Sequence, residues 1–100
     1  MAAHIAVVLR ASVCGDPIRT LEPRSADVGE VMPGFDNLEF PALRLVDPYG
    51  QTIFNGYQMA GLIPELQRLH EQTHDPILAQ VIELAEQARR SGGYLVFMGD

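Results

Sequence analysis

The sequence predicts an α+β domain. Its expected form is a mostly antiparallel sheet of about four strands with an antiparallel helix pair packed on one face, in the order β–long loop–β–β–α–α–β. Three observations lead there. Short stretches rich in β-branched and aromatic residues, "HIAVVLRA", "QTIFN" and "YLVFM", stand near the start, middle and end of the chain. Between the last two lie segments whose apolar residues recur at spacings of three and four, as in helices that bury one side. The link between those helices is short and folds them back on each other. The closing strand must then run antiparallel to "QTIFN".

In the first strand Ile5, Val7 and Leu9 alternate with Ala6, Val8 and Arg10. The chain then enters "CGDPIRTLEPRSADVGEVMPGFDN", whose prolines and glycines break every period. Residues 14–40 read as a long irregular connection, with room for one short strand, inside a single domain spanning 1–100. A connection this long is uncommon in a compact domain and is often functional. "ALRLVD" reads as the next strand, with Leu43 and Leu45 on one face and Arg44 and Val46 on the other. "DPYG" follows as a type I turn. Pro48 presets φ, Asp47 accepts from the backbone two residues on, and Gly50 releases the chain. "QTIFN" returns, so the three pieces predict a β-hairpin.

The first helix is carried by "NGYQMAGLIPELQRLHEQ", with Met59, Leu62, Ile63, Leu66 and Leu69 on one stripe. Asn55 and Gln58 stand three apart before it, which resembles a capping box. Pro64 predicts either a regular helix starting near Gly61 or a kink. In the second helix, Asp75 is the expected cap and Pro76 the first residue. Its stripe is Ile77, Leu78, Val81, Ile82, Ala85 and Ala88. Arg89 and Arg90 complement the dipole of the last turn, and Gly92 and Gly93 end it.

Charge narrows the function. Thirteen acidic residues face seven arginines and no lysine, for a net charge of −6. Binding to nucleic acid relies on cations that neutralise phosphates, so no nucleic-acid partner is expected. An acidic surface keeps the chain soluble and suits a basic protein partner. No apolar run approaches the ~20 residues of a membrane span, so no membrane partner is expected either. Cys14 is the single cysteine, and no basic residue precedes the N-terminal apolar run. Both features fit a cytoplasmic protein.

No complete catalytic constellation is visible, and the chain reads as non-enzymatic with no cofactor. Cys14 has no neighbouring base to activate it and reads as a small apolar filler. A phosphate loop of the G-x-x-x-x-G-K type requires a lysine. Asp36, Asn37 and Glu39 lack the spacing of a calcium loop and read as solvated. "HEQTH" matches the H-E-x-x-H string, in which His70 and His74 would ligate zinc and Glu71 would act as base. Asp75-Pro76 follows at once, however, so the helix should end between the two histidines. The string is therefore expected to be two solvated histidines rather than a metal site. Asp47, Tyr49 and Asn55 read as structural, closing a turn, covering it and capping a helix.

"DPYGQTIFNGYQM", followed by a helix pair and then "YLVFMGD", resembles a group of small uncharacterised bacterial proteins. These carry a DPYG hairpin, a helix pair and a C-terminal aromatic-x-Gly-Asp end. The resemblance spans Leu43 to Asp100. It implies that Gly99-Asp100 is a natural end, and it supplies no activity and no catalytic residue.

The expected function is a cytoplasmic protein-binding module of regulatory or toxin-neutralising type, with Asp36, Glu39 and Tyr49 as candidates for partner contact. Two alternatives belong to other classes. One is a small metal-dependent hydrolase using "HEQTH". The other is a self-associating structural domain, a homodimer paired through an open sheet edge such as the first or last strand.

Overall fold

The computed structural model describes residues 4–12, 15–21 and 28–99. Its elements are β1 (Ile5–Arg10), β2 (Pro17–Leu21), α1 (Val28–Val31), a 3-10 turn (Leu43–Leu45), β3 (Gln51–Asn55), α2 (Met59–Thr73), α3 (Pro76–Ser91) and β4 (Tyr94–Gly99). The four strands form one antiparallel sheet in the order β2-β1-β4-β3. The helix pair covers one face, with α3 against β1 and β4 and α2 against α3 and the 3-10 turn. This is the α+β class that the sequence predicts. Cys14 and Asp100 lie outside the described residues.

The predicted stripes become the core. Met59, Leu62, Ile63, Leu66 and Leu69 of α2 are buried, as are Ile77, Leu78, Val81, Ala85 and Ala88 of α3. Ile82 is half-buried, and Leu84, outside the predicted stripe, is fully buried. From the sheet, Ile5, Val7, Leu9, Phe54, Leu95 and Phe97 meet the helices. Phe54 and Phe97 pack edge to face with ring centroids 5.8 Å apart, a favoured aromatic geometry.

Two expectations about strands are corrected. The first concerns the hairpin. Leu43–Leu45 is a 3-10 turn and not a strand, so β3 has no hairpin partner before it and pairs with β4 instead. The backbone of this segment bonds locally. Arg44 N–H donates to Phe40 C=O at 2.9 Å, Leu45 to Ala42 at 3.1 Å and Val46 to Leu43 at 3.1 Å. The Ala42 and Leu43 N–H groups donate to the buried carboxylate of Glu65 at 3.0 Å. Groups committed in this way cannot join a ladder. The sheet's missing strand is β2, which lies inside the connection of residues 14–40.

The second correction concerns the edges. β1 and β4 are central, and the open edges belong to β2 and β3. β4 is apolar on both faces, with Leu95, Val96 and Phe97 all buried. In the centre of the sheet its side chains are flanked on each face by those of two neighbouring strands.

The local signals act where they were read, with one shift of boundary. Gly50 N–H bonds Asp47 C=O at 3.4 Å, and Tyr49 N–H bonds Asp47 Oδ1 at 2.9 Å, so the turn forms without the hairpin. Asn55 and Gln58 form the reciprocal box. Gln58 N–H donates to Asn55 Oδ1 at 2.9 Å, and Asn55 N–H donates to Gln58 Oε1 at 2.8 Å. The box encloses the turn that leads into α2, whose first residue is Met59. Asn55→Ala is expected to cost ~0.5–2 kcal/mol, measured as a lower urea midpoint. An unchanged midpoint would show that the box holds nothing.

Pro64 stands in the interior of α2 on its exposed side, so Ala60 C=O lacks its usual donor four residues on. Asp75 Oδ1 caps α3 by accepting from Ile77 N–H at 3.0 Å, and Gly92 ends it at φ 71°. At the far end of β4, Gly99 N–H bonds Gly50 C=O at 2.8 Å. A Cβ at Gly99 would overlap the Pro48 carbonyl, so the close approach of these two backbones requires glycine.

Candidate functional site

Residues 33–48 form the most distinctive surface. The chain leaves α1, makes a turn closed by Asn37 N–H to Gly34 C=O at 3.0 Å, and makes a second closed by Phe40 N–H to Asn37 C=O at 3.2 Å. Asn37 Oδ1 also accepts from Glu39 N–H at 3.2 Å. This Asx-type bond fixes the loop in place of a ladder.

Two arginines hold the loop from either end. The Arg44 guanidinium lies 5.0 Å from the Phe35 ring centroid and donates to Phe35 C=O at 2.7 Å. Arg68 of α2 lies 5.1 Å from the Phe40 ring centroid and donates to Glu39 C=O. Each arginine thus makes a cation–π contact and a hydrogen bond to the same short segment. Phe40 is buried, whereas Phe35 is held in place at 69% exposure.

Beside this clamp lies a cleft of about 450 Å³, lined in part by Met32, Phe35, Arg44, Leu45, Val46 and Asp47. The lining is mainly apolar, with Arg44 and Asp47 supplying one charge of each sign. A second groove, of about 580 Å³, lies at the C-terminal end of β3 and includes Phe54, Tyr57, Gly61, Leu62 and Arg89. Neither arrangement holds a nucleophile beside a base. Both are shaped to receive an apolar side chain with polar contacts at the margin.

The residues predicted for partner contact are all exposed. Asp36 and Tyr49 stand in solvent, Tyr49 at 73%. Glu39 is partly committed, since its carbonyl accepts from Arg68 and its Oε2 accepts from Gln72 Nε2 at 3.3 Å. Phe35, Leu38 and Leu45 were not singled out by sequence. Apolar residues in a sequence read as core, and only burial separates those that face water.

The "HEQTH" residues fall at the end of α2. His70 is half-buried in the last turn, Glu71 is exposed, and His74 is the left-handed C-cap at φ 56°. His74 N–H closes the helix on His70 C=O at 2.8 Å. The helix ends at Thr73, between the two histidines, so the one-turn spacing of an H-E-x-x-H site is not continued on a helical face. Among the described residues, no group of three or more His, Cys, Asp or Glu side chains is placed to share an ion. No helix among them is long and apolar enough to cross a membrane.

No family model, no curated protein and no solved structure matches this chain.

Proposed function

We propose that this chain is a non-enzymatic cytoplasmic protein-binding module, and that the cleft between Met32–Phe35 and Arg44–Pro48 receives an apolar side chain from a basic partner segment. One observation carries the reading. Of the seven large apolar side chains exposed among the described residues, four lie between positions 35 and 49: Phe35 at 69%, Leu38 at 75%, Leu45 at 51% and Tyr49 at 73%. Scattered single exposures are ordinary, but Phe35 and Leu45 line one cleft together, and exposed apolar residues that share a cleft mark an interaction surface. Arg44 keeps Phe35 presented to solvent instead of folded onto the core, which lowers the ordering cost of binding. The net charge of −6 favours a basic partner and speeds its approach.

Affinity capture on the immobilised chain tests this reading, with Phe35→Ala and Leu45→Asp as paired variants. Both sites are exposed, so folding should be unchanged. The expected result is a specific protein retained by the native chain and released at least ~10-fold more readily from each variant, as for a central anchor. Retention of nothing above background, or retention unaffected by both variants, counts against it.

A further inference from the structure

β3 is an edge strand whose free side is open along its first three residues. The register pairs Thr52 with Phe97 and Phe54 with Leu95, and the Gly99 N–H to Gly50 C=O bond sets the phase of the ladder. Bonded positions alternate along an antiparallel pair. Thr52 and Phe54 therefore bond toward β4, and the N–H and C=O groups of Gln51, Ile53 and Asn55 point away from it. Gln58 takes up both groups of Asn55.

Natural sheets blunt such edges with charge, proline or a bulge. β2, the other edge, has all three: Pro17, Arg19 and a register shift opposite Leu9 and Arg10. Arg19 also reaches α3, bonding Glu83 at 3.1 Å. β3 has no charge, no proline and no bulge.

The sequence around β3 carries a second, independent signal. Tyr49-Gly50-Gln51-Thr52-Ile53-Phe54-Asn55-Gly56-Tyr57 follows the same pattern outward in both directions from Ile53: an unmatched residue, an amide side chain, a glycine, a tyrosine. A strand paired antiparallel with its own copy about a two-fold axis sets each residue opposite the one equally distant from the centre. Centred on Ile53, Gln51 would meet Asn55, while the glycines and tyrosines fall in the turns that bound the strand at either end. The two tyrosines stand 73% and 92% exposed, and Ile53 stands 39% exposed.

We propose that this chain forms a two-fold symmetric dimer by antiparallel pairing of β3 with β3 of a second copy, centred on Ile53. The Ile53 N–H and C=O groups exchange bonds across the axis. Each Gln51 N–H donates to the second lone pair of the other copy's Asn55 carbonyl, whose first accepts from Gln58 N–H, so the Asn55–Gln58 box stays intact. On the sheet face away from the helices, Val8, Val96 and Ile53 stand in one row across the strands. Pairing continues that row through Ile53 of the second copy and covers its exposed end. No charged residue occurs between Tyr49 and Tyr57, so two chains of net charge −6 meet where neither carries charge. Antiparallel pairing brings the turn before β3, with Tyr49, toward the end of the other copy's β3, where Tyr57 lines a groove. The cleft of the proposed function includes no residue of Tyr49–Tyr57, so the two ideas fail separately.

Sedimentation velocity on the full chain from ~1 μM to ~1 mM tests the dimer. The mass should rise with concentration from 11.0 kDa toward twice that value. Ile53→Lys places a charge on the edge and should raise the dissociation constant at least ~10-fold. Thr20→Lys on β2 should leave it unchanged. In a Cys14→Ser background, Ile53→Cys should be joined into a covalent dimer by a short thiol-reactive bifunctional linker, because bonded partners lie ~5.5 Å apart at Cα. Thr20→Cys should not. A mass that stays at 11.0 kDa throughout, or a dimer that Ile53→Lys does not weaken, overturns the proposal. Should Ile53→Lys fail to fold, the cysteine pair decides: no cross-link through position 53 overturns it.

Discussion

Glu65→Ala is expected to lower stability by ~2–5 kcal/mol, far more than an ordinary surface glutamate would. Glu65 is 6% exposed, and its carboxylate lies inside the apolar stripe of α2, between Leu62 and Leu66. It is retained there because the 3-10 turn presents N–H groups with no other acceptor. Ala42, the residue before the turn, supplies no side-chain cap. Glu65 Oε1 accepts from Ala42 and Leu43 at 3.0 Å each, and Oε2 accepts from Ala42 at 3.1 Å. Truncation would leave these donors unpaired, one of them fully buried, and would open a cavity beside the core. Glu65→Gln keeps one carbonyl oxygen with two lone pairs, so it should lose roughly half as much. Urea denaturation followed by far-UV circular dichroism reads both variants. A loss below ~0.5 kcal/mol for Glu65→Ala would mean that water satisfies the turn and that the carboxylate is not its cap.

Leu66→Ala is expected to cost ~2–5 kcal/mol, the range for truncating a fully buried leucine. Leu66 is 0% exposed and belongs to the same cluster as Leu9, Leu43, Leu78 and Phe97. It stands in the helix that bridges the 3-10 turn and α3, where a void is hard to fill. Collapse would have to move α2, which the Glu65 bonds hold to the turn. The loss should therefore lie toward the upper part of the range. It would appear as a lower denaturant midpoint with an unchanged slope. An unchanged melting curve would remove Leu66 from the core. Because residues 65 and 66 are neighbours, the double variant should deviate from the sum of the single losses.

Much of the fold could be read because its causes are local. The α2 and α3 stripes, the Asp75 cap, the left-handed Gly92 and the Asx turn at Asp47 each depend on residues within one or two turns of chain. The α+β class and the antiparallel relation of β3 to β4 followed from short links. The candidate surface was legible in part. Asp36 and Glu39 stand in solvent as read, whereas Tyr49, read as covering its turn, is 73% exposed, and the clamped Phe35 and exposed Leu45 were not recognised. Phe35 is held by Arg44, nine residues away, and Leu45 stands in a 3-10 turn formed by a segment with the alternation of a strand.

That same segment shows where local reading stops. "ALRLVD" has strand periodicity and stands before a turn and a strand, yet it becomes a 3-10 turn because Glu65, 22 residues beyond Leu43, captures its N–H groups. The order β2-β1-β4-β3 was equally beyond local pattern, since it joins segments far apart in the chain. Periodicity and capping are short-range properties of the chain, so the helices, the turns and the layer they build were already specified by residue order. Which segment completes the sheet, which edges stay open and which apolar side chains remain in water depend on long-range competition for the same backbone donors and the same buried area. Only the folded chain resolves that competition.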